Sequence, residues 1–357
     1  MKKWFVFFYA CFTVVVISFG INYALKLDKA VKEEKRQEEI KSELNGITKY
    51  IKKNKINDTV KLKITATGEI KELKISDYLK GVLPAEMPPE YNIEALKAQA
   101  VVARTYLYQK MEAGAHGNAD ICDSASHCQA YYSLDSLFGI WKRAKGYTQE
   151  ECEEYFAKVS EAVDSTKNVV VTYNGQYIKA YFHACSGGKT ENVSAIWGKQ
   201  NIPYLKSVES NGEEGYKNYK STVKISISEL ENKLNNNNNN NNTIQCSINT
   251  SEQESIKILS YTETGRVDKV LIGGVIYTAE KLRTILGLRS TNFTLDINDK
   301  QVIFNVTGNG HGVGMSQVGA DYYAKTGFTY SQIISHYYTD VDVTYLYEEE
   351  VTNENKI

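Results

Sequence analysis

One long helical segment, residues 93–113, restricts the possible folds of this chain more than any other feature. Asn92 precedes it as a candidate N-cap. Apolar side chains recur at the three- and four-residue spacing of a single helix face, at Leu96, Ala100, Ala103, Leu107 and Met111. Several of these residues are small and permit close packing. Such a helix needs other elements to cover it, so we expect the fold to be built around it.

Strand signals accompany this helix on both sides. Alternating or β-branched runs flank the dipeptides at 67–68, 174–175 and 264–265, which predicts three hairpins. Shorter helices are predicted after a Thr278 cap, near 317–325 and near 331–338. Three prolines, Pro84, Pro88 and Pro89, predict that no regular helix passes through their segment. We therefore predict an α+β fold with mixed, hairpin-rich sheets, separate helices and one long helix.

An uncharged, mostly apolar run extends from Trp4 to Leu25, directly after Lys2 and Lys3. A helix of that length is about 33 Å long, and the hydrocarbon core of a membrane is about 30 Å thick. A cleaved signal peptide is the alternative, but the run is long for one and no clear cleavage motif closes it. We expect a single transmembrane helix at 4–25 in the cell membrane, with 1–3 cytoplasmic and the remainder outside.

The rest of the chain divides by composition. Residues 26–46 interleave basic and acidic side chains, which predicts a charged helical stalk. An extracytoplasmic catalytic domain is expected at 47–350, with a subdomain or insertion at about 222–290 and a frayed tail at 351–357. The consecutive Asn residues at 235–242 predict a disordered loop.

The charge balance excludes one class of partner. The chain has 42 Lys and Arg against 43 Asp and Glu, a net charge of −1. General nucleic-acid binders show a basic excess or stripe, so no nucleic-acid partner is expected.

Four metal-ligand residues fall in the polar stretch after the long helix, at His116, Cys122, His127 and Cys128. Two thiolates and two imidazoles match a tetrahedral zinc site. Four protein ligands would leave no open position, so the zinc would be structural. A Cys122–Cys128 disulfide is the alternative for a domain outside the cytoplasm. We favour the metal because two of the five His residues lie in this stretch.

A candidate catalytic carboxyl, Glu86, stands in the sequence LPAEMPPEY. Its apolar neighbours would disfavour the charged form and raise its pKa, as suits a general acid. The alternative is a loop glutamate that caps the following helix.

Two later motifs carry polar and glycine residues. In YFHACSGGKTENV, His183 and Cys185 could form a nucleophilic pair, although a cysteine after a strand is more often packed. In GNGHGVGMSQVGA, exposed amides before a helix could bind an oxygen-rich ligand, and His311 could bind substrate or support the loop. The Walker lysine of a phosphate-binding loop is missing.

Taken together, LPAEMP, IEALKAQAVVARTYL, SGGKTENV and GHGVGMSQVGA resemble the stage II sporulation protein D family of membrane-anchored lytic transglycosylases. These motifs occur in family order between about Ile70 and Tyr345. The cluster of His and Cys resembles the zinc site of clostridial members, with one structural zinc per chain.

The resemblance implies cleavage of peptidoglycan during engulfment of the endospore, at the mother-cell membrane. Glu86 aligns with the family's catalytic acid. The reaction that the resemblance implies is cleavage of peptide-free glycan strands between N-acetylmuramic acid and N-acetylglucosamine, which leaves 1,6-anhydro ends. The resemblance also implies stage II sporulation proteins P and M as partners. It implies a glycan cleft lined by Arg104, Tyr181, Ser186, Thr190, Glu191, His311 and Gln317.

Two further functions compete with this enzyme. The first is a non-catalytic, wall-binding scaffold of the engulfment complex. The second is a zinc-dependent amidase or peptidase, against which a four-ligand zinc site argues because it leaves no position for water. The sequence leaves open the redox state of Cys152, Cys185 and Cys246.

Overall fold

The computed structural model describes residues 46–348 apart from 115, 199, 238–245, 249–254 and 299, together with Tyr23 and Val31. The helices are α1 (Ile75–Glu86), α2 (Ile93–Ala113), α3 (Leu134–Lys145), α4 (Gln149–Asp164), α5 (Val193–Trp197), α6 (Ile227–Asn236), α7 (Ala279–Leu286), α8 (Gln317–Lys325) and α9 (Tyr330–Tyr337). The strands are β1 (Lys49–Lys53), β2 (Thr59–Lys63), β3 (Ile70–Lys74), β4 (Ile121–Cys122), β5 (Val169–Tyr173), β6 (Gln176–Tyr177), β7 (Phe182–His183), β8 (Lys220–Ser226), β9 (Ile256–Tyr261), β10 (Val267–Ile272), β11 (Val275–Thr278), β12 (Phe293–Ile297), β13 (Gln301–Thr307), β14 (Met315–Ser316) and β15 (Asp342–Glu348). This mixture agrees with the α+β character expected from the sequence.

The expected membrane anchor requires a correction. Among the residues described, no helix is both long enough and apolar enough to cross a membrane. This finding contradicts the predicted transmembrane helix and the single-pass membrane localisation that depended on it. The segment assigned to the anchor, 4–25, lies outside the described residues apart from Tyr23. The predicted stalk is outside them apart from Val31 and Gly46, as is the whole of the predicted tail.

The described strands form small sheets rather than one large one. Their orders are β1-β15-β5-β6, β3-β2-β4, β11-β10-β9, β12-β13-β8 and β14-β7. The three predicted hairpins are present as β2–β3, β5–β6 and β9–β10, each antiparallel. In β5–β6, Asn174 and Gly175 both adopt positive φ, as the tight turn predicted from Asn-Gly requires.

Helix α2 is the centre of the larger core. The Asn92 side chain accepts a hydrogen bond from the Glu94 amide at 2.9 Å, which confirms the predicted cap. Leu96, Ala100, Ala103 and Leu107 are fully buried, and α1, α4, α8, α9 and β5 cover the helix from several sides. Burial therefore surrounds the helix instead of following a single stripe.

A second hydrophobic core lies between Ile225 and Val306. Helices α6 and α7 cover it, together with strands β8 to β13. It overlaps the segment 222–290 that was predicted as a subdomain or insertion, and that division stays a prediction.

Helix α1 differs from the expectation drawn from its prolines. Pro84 lies inside its last turn, where the missing N–H removes only the bond to the carbonyl four residues earlier. Met87 is extended (φ −128°, ψ 136°), as expected for a residue before Pro88, and the helix stops there. Two residues of the Asn tract, Asn235 and Asn236, end helix α6, and 238–242 lie outside the described residues.

Candidate functional site

Glu86 is the last residue of helix α1 and is partly buried. Its Oε1 accepts a hydrogen bond from the Ala130 amide at 2.5 Å. Burial raises the pKa of Glu86, and the Ala130 amide opposes part of this rise by favouring the charged form. The carboxyl can therefore hold a proton above its ordinary range while one oriented donor fixes its position.

The segment that carries the Ala130 amide is tied to both central helices. Tyr78 on α1 donates from its hydroxyl to Gln129 Oε1 at 3.4 Å. The Gln129 amide donates to the Ala103 carbonyl on α2 at 3.4 Å. One helical turn along α2, the Tyr106 hydroxyl donates to the His127 carbonyl at 3.4 Å. These contacts hold the donor to Glu86 at a defined place between α1 and α2.

The same segment begins in the four-residue cluster predicted to bind metal. All donor atoms of His116, Cys122, His127 and Cys128 lie within 4.8 Å of one another. His116 Nε2 lies 3.2 Å from His127 Nδ1 and 3.1 Å from Cys128 Sγ, and Cys122 Sγ lies 3.4 Å from His127 Nδ1. A zinc tetrahedron with bonds of about 2.0–2.3 Å needs donor separations close to these. The residues fit the metal, and this cluster could hold one.

Local structure explains how the four ligands meet. Cys122 ends β4, which pairs in parallel with β2. The amides of His127 and Cys128 both bond to the Ser124 carbonyl, at 3.1 and 2.7 Å, in a turn that brings the later ligands back to the strand. Both cysteines are free thiols, so the structure does not form the alternative disulfide.

A second group of candidate residues gathers where β7 pairs in parallel with β14. The rings of Tyr181 and His311 face Trp197, with centroids 4.7 and 5.1 Å from the indole. Gly314 (φ +73°) permits this pairing, because a Cβ there would overlap the Tyr181 carbonyl. His311 Nδ1 accepts the Val313 amide at 3.1 Å, and burial lowers the pKa of His311 to about 4. The His311 ring is therefore neutral near pH 7.

The predicted Cys185 and His183 pair is not assembled for nucleophilic chemistry. The Cys185 thiol donates to Glu213 at 3.2 Å, and burial together with that carboxylate raises its pKa. His183 Nδ1 faces the Val313 carbonyl at 3.2 Å, and burial lowers the pKa of the ring. The thiol thus stays protonated, and the contacts described here do not pair it with His183.

Glu213 organises the SGG turn from the inside. This fully buried carboxylate accepts hydrogen bonds from the hydroxyls of Ser186, Ser210 and Ser316, at 2.9, 2.7 and 2.5 Å. It also accepts from the Gly187 amide at 2.6 Å. Ser186 is therefore part of an internal network that joins the SGG turn to the start of helix α8.

The remaining predicted cleft residues are buried as well. Glu191 accepts from the Thr262 and Thr264 hydroxyls at 2.7 and 2.5 Å, and Thr190 exchanges hydrogen bonds with the Val208 backbone. Gln317 donates to Gln99 at 3.4 Å on α2. These contacts position the loops, and contact of these residues with a glycan stays a prediction.

Arg104 lies apart from the surroundings of Glu86 and from the second group of candidate residues. It is 3 % exposed and donates to the carbonyls of Val163 and Val169, each at 3.0 Å. It lines a cavity of about 440 Å³ at the other end of α1, next to Lys74 and Ile75. Within the described part of the chain, no hydrogen bond or ion pair joins Arg104 to Glu86, and the contact of Arg104 with a glycan likewise stays a prediction.

Sequence reasoning missed four residues that shape these sites: Ala130, Trp197, Glu213 and Arg266. Arg266 is 2 % exposed and donates to the Ser186 carbonyl at 2.5 Å. Trp197, four residues after the end of the SGGKTENV motif, was the one that its sequence position could have indicated. The other three act through contacts with residues more than 20 positions away, and a local pattern carries no signal of those.

Comparison with known proteins adds a family to this geometry. A family model described as "Stage II sporulation protein" matches residues 63–173, from the hairpin through α2 and the His/Cys cluster to β5. The chain is 32 % identical over 284 residues to stage II sporulation protein D of Bacillus amyloliquefaciens, covering 78 % of this chain and 77 % of that protein. The protein of the same name in Bacillus subtilis (strain 168) is 32 % identical over 283 residues, with the same coverage.

A more distant similarity extends to a protein of another name. The amidase enhancer of Bacillus subtilis (strain 168) is 26 % identical over 314 residues, which cover 74 % of this chain and 40 % of that protein.

Proposed function

The chain belongs to the stage II sporulation protein D family, and we propose that it acts on the cell wall during sporulation as a peptidoglycan lytic transglycosylase. The substrate is a peptide-free glycan strand, cut between N-acetylmuramic acid and N-acetylglucosamine. Glu86 is the catalytic acid and base. The cell-wall assignment draws on the names of the relatives, two sporulation proteins and one amidase enhancer.

One observation carries the proposed mechanism: the partly buried Glu86 carboxyl has a raised pKa and a single backbone donor. A raised pKa lets a carboxyl keep its proton to a higher pH than usual and deliver it to a leaving oxygen. Glu90 provides no equivalent second acid, because Tyr147 and Lys145 engage its carboxylate and lower its pKa. The Ala130 amide then stabilises the Glu86 carboxylate that remains.

The reaction balances with that one group. Glu86 protonates the glycosidic oxygen, the bond to C1 of the muramic residue breaks, and the N-acetylglucosamine side leaves as an alcohol. The Glu86 carboxylate then takes the proton of the muramic C6 hydroxyl, whose oxygen bonds to C1 and closes the 1,6-anhydro ring. No water is consumed, and Glu86 ends protonated as it began.

Digestion of peptide-free strands tests the reaction. Wild-type protein is expected to release fragments lighter by one water than hydrolytic products, because the anhydro ring replaces an added water. Glu86→Gln should lower the rate by about 10²–10⁴-fold, the usual contribution of a general acid. Mass spectrometry of the new ends provides the measurement, and Glu90→Gln is the matched control, expected to keep the same products.

Three results would change the proposal. Hydrolytic ends would mean a glycosidase with a second carboxylate. Equal cleavage by Glu86→Gln would remove Glu86 from the reaction. Glycan binding without cleavage by the wild type would favour the alternative, a wall-binding scaffold of the engulfment complex.

We also propose that His116, Cys122, His127 and Cys128 hold one zinc ion, as in clostridial members that the cluster resembles. When bound, the ion supplies structural cross-linking, because four protein ligands leave no position for a reacting water. The zinc would act on the proposed reaction only indirectly. The cluster holds the segment 127–130, and the Ala130 amide in that segment orients Glu86.

Metal analysis tests this assignment. Purified protein is expected to contain about one zinc per chain, and chelation should lower its melting temperature because the cross-link is lost. Cys122→Ser should lose most of the metal. Cys152→Ala, which removes a buried free thiol on α4, should keep it. Unchanged metal content in Cys122→Ser would contradict the site.

The partners follow from the family. Stage II sporulation proteins P and M are the proposed partners, and co-purification from sporulating cells is the measurement. Recovery of neither protein with the wild-type chain would contradict this part of the proposal.

A further inference from the structure

Trp197 is the most solvent-exposed ring in the second group of candidate residues. It ends helix α5, and 39 % of its surface is exposed. The Tyr181 and His311 rings lie beside the indole and leave its other surface open to solvent. A large apolar ring that is exposed yet backed by two other rings is typical of a binding surface rather than of core packing.

The surrounding chain holds Trp197 in place. The Val193 amide at the start of α5 donates to the Leu205 carbonyl at 3.2 Å, and the Asn192 side chain accepts from the Ser207 amide at 2.9 Å. Glu191, just before, donates through its amide to the Gly312 carbonyl at 2.8 Å, in the loop that carries His311. A ligand would therefore meet an ordered surface and would not have to immobilise the indole.

The chemistry of this surface suits an uncharged, hydroxyl-bearing ligand. Burial raises the pKa of Tyr181 and lowers that of His311 to about 4, so neither ring is charged near pH 7. In the part of the chain that the structure describes, neither the Tyr181 hydroxyl nor the Trp197 indole nitrogen has a hydrogen-bond partner. The surface thus offers apolar ring faces with polar groups at their edges.

Among the described residues, no hydrogen bond or ring contact joins this surface to Glu86. The Glu86 carboxyl is bound at Ala130, three residues after His127. A sugar stacked on the indole would therefore be held apart from the bond that is cut at Glu86.

We propose that Trp197 and Tyr181 form an aromatic subsite that stacks against an N-acetylhexosamine of the glycan strand, away from the bond that is cleaved. The inference rests on the proposed glycan substrate. Its consequence is specific: the subsite adds binding energy equally before and during reaction, so it affects affinity and not the chemical step.

Calorimetric titration of the full chain with tri-N-acetylchitotriose provides the test. The titrations use the Glu86→Gln variant as background, so that the ligand stays intact. Trp197→Ala is expected to weaken binding about 10-fold or more through loss of the buried ring face. Trp197→Phe, which keeps a ring, should stay within about threefold. Trp141→Phe alters a buried tryptophan and should bind as the background does.

Kinetics separate this role from a structural one. With Glu86 intact, Trp197→Ala should raise KM for peptide-free strands about 10-fold and leave kcat within about twofold. Circular dichroism of Trp197→Phe verifies the fold if the alanine variant is unstable.

The outcomes distinguish the subsite from the function itself. Unchanged titration and KM in Trp197→Ala would overturn the subsite while cleavage by the wild type upholds the transglycosylase. A fall in kcat with unchanged KM would also overturn it. Absence of both glycan binding and cleavage in the wild type would overturn the proposed function, and the subsite with it.

Discussion

At the scale of single residues, the burial of His311 makes the stability of the fold depend on pH. Its pKa is lowered to about 4, first by burial and then by the charge of Arg283. In the unfolded chain the same ring takes up a proton near pH 6.5. Between these values the unfolded state binds more protons, so the free energy of unfolding decreases as the pH falls.

We predict that His311→Gln makes this decrease shallower. From pH 6.5 to pH 4 the wild type should lose about 3 kcal/mol more than the variant, which carries no titrating ring at this position. Urea unfolding at several pH values measures the difference. Both proteins keep the same four metal-ligand residues, so the contribution of those cancels. If the free energy of unfolding changed with pH in the same way in both proteins, the pKa of His311 would not be lowered by folding.

Residues also differ in how well the sequence predicts their roles. The apolar neighbours of Glu86 predicted a raised pKa, and burial of the carboxyl in the fold does raise it. The Ala130 donor could not be predicted, since it lies 44 positions away. Glu213 was likewise missed: nothing in its local sequence distinguishes it from the exposed Glu214 beside it.

At the scale of elements, helix α1 packs against the segment after Ala130 at Gly81. A Cβ on Gly81 would overlap the Tyr131 ring and the Tyr132 carbonyl, and the Gly81 carbonyl itself accepts from the Tyr132 amide at 3.1 Å. The helix thus depends on a glycine where alanine would ordinarily be the better helix former.

We predict that Gly81→Ala lowers the free energy of unfolding by about 1–3 kcal/mol through this overlap. The matched control is Gly139→Ala within α3, where the nearest atom to the new Cβ is the flexible Arg143 guanidinium at 3.4 Å. That change should stabilise the protein by up to about 1 kcal/mol. Urea denaturation of both variants gives the comparison, and changes of the same sign would contradict the packing argument.

Elements with local signals were predictable, and elements that depend on context were not. The caps at Asn92 and Thr278 and the turn at 174–175 are encoded in neighbouring residues, and all three occur as predicted. Helix α1 was missed because Pro84 reads as a helix breaker, although in the last turn it removes a single bond. Helices α3 and α4 were not predicted, despite the capping box at Thr148 and Glu151 that marks the start of α4.

At the scale of the whole molecule, Arg266 joins the two hydrophobic cores. It precedes β10 in the second core, and its guanidinium donates to Ser290 Oγ at 2.8 Å and to the Lys189 carbonyl at 3.1 Å. Gly312 leaves room for it, since a Cβ there would lie 2.7 Å from the guanidinium. The carboxylates of Glu191 and Glu213 favour its charge against the cost of burial.

We predict that Arg266→Met lowers the free energy of unfolding by about 3–5 kcal/mol, because buried carbonyls and carboxylates lose their cationic partner. It should also separate the unfolding of the two cores. Differential scanning calorimetry is then expected to show two transitions instead of one. Arg289→Met, at an exposed arginine nearby, is the control. A single, unshifted transition in Arg266→Met would mean that the cores are joined elsewhere.

Among the described residues, the pairing of the first and last strands has a mechanical consequence. Strand β1 runs parallel to β15, from Lys49 beside Thr344 to Lys53 beside Glu348. Tension between residue 46 and residue 348 therefore pulls these strands past each other lengthwise. In that direction the hydrogen bonds between them bear load together, whereas peeling would break them in turn. The described domain is thus built to resist stretching between residues 46 and 348.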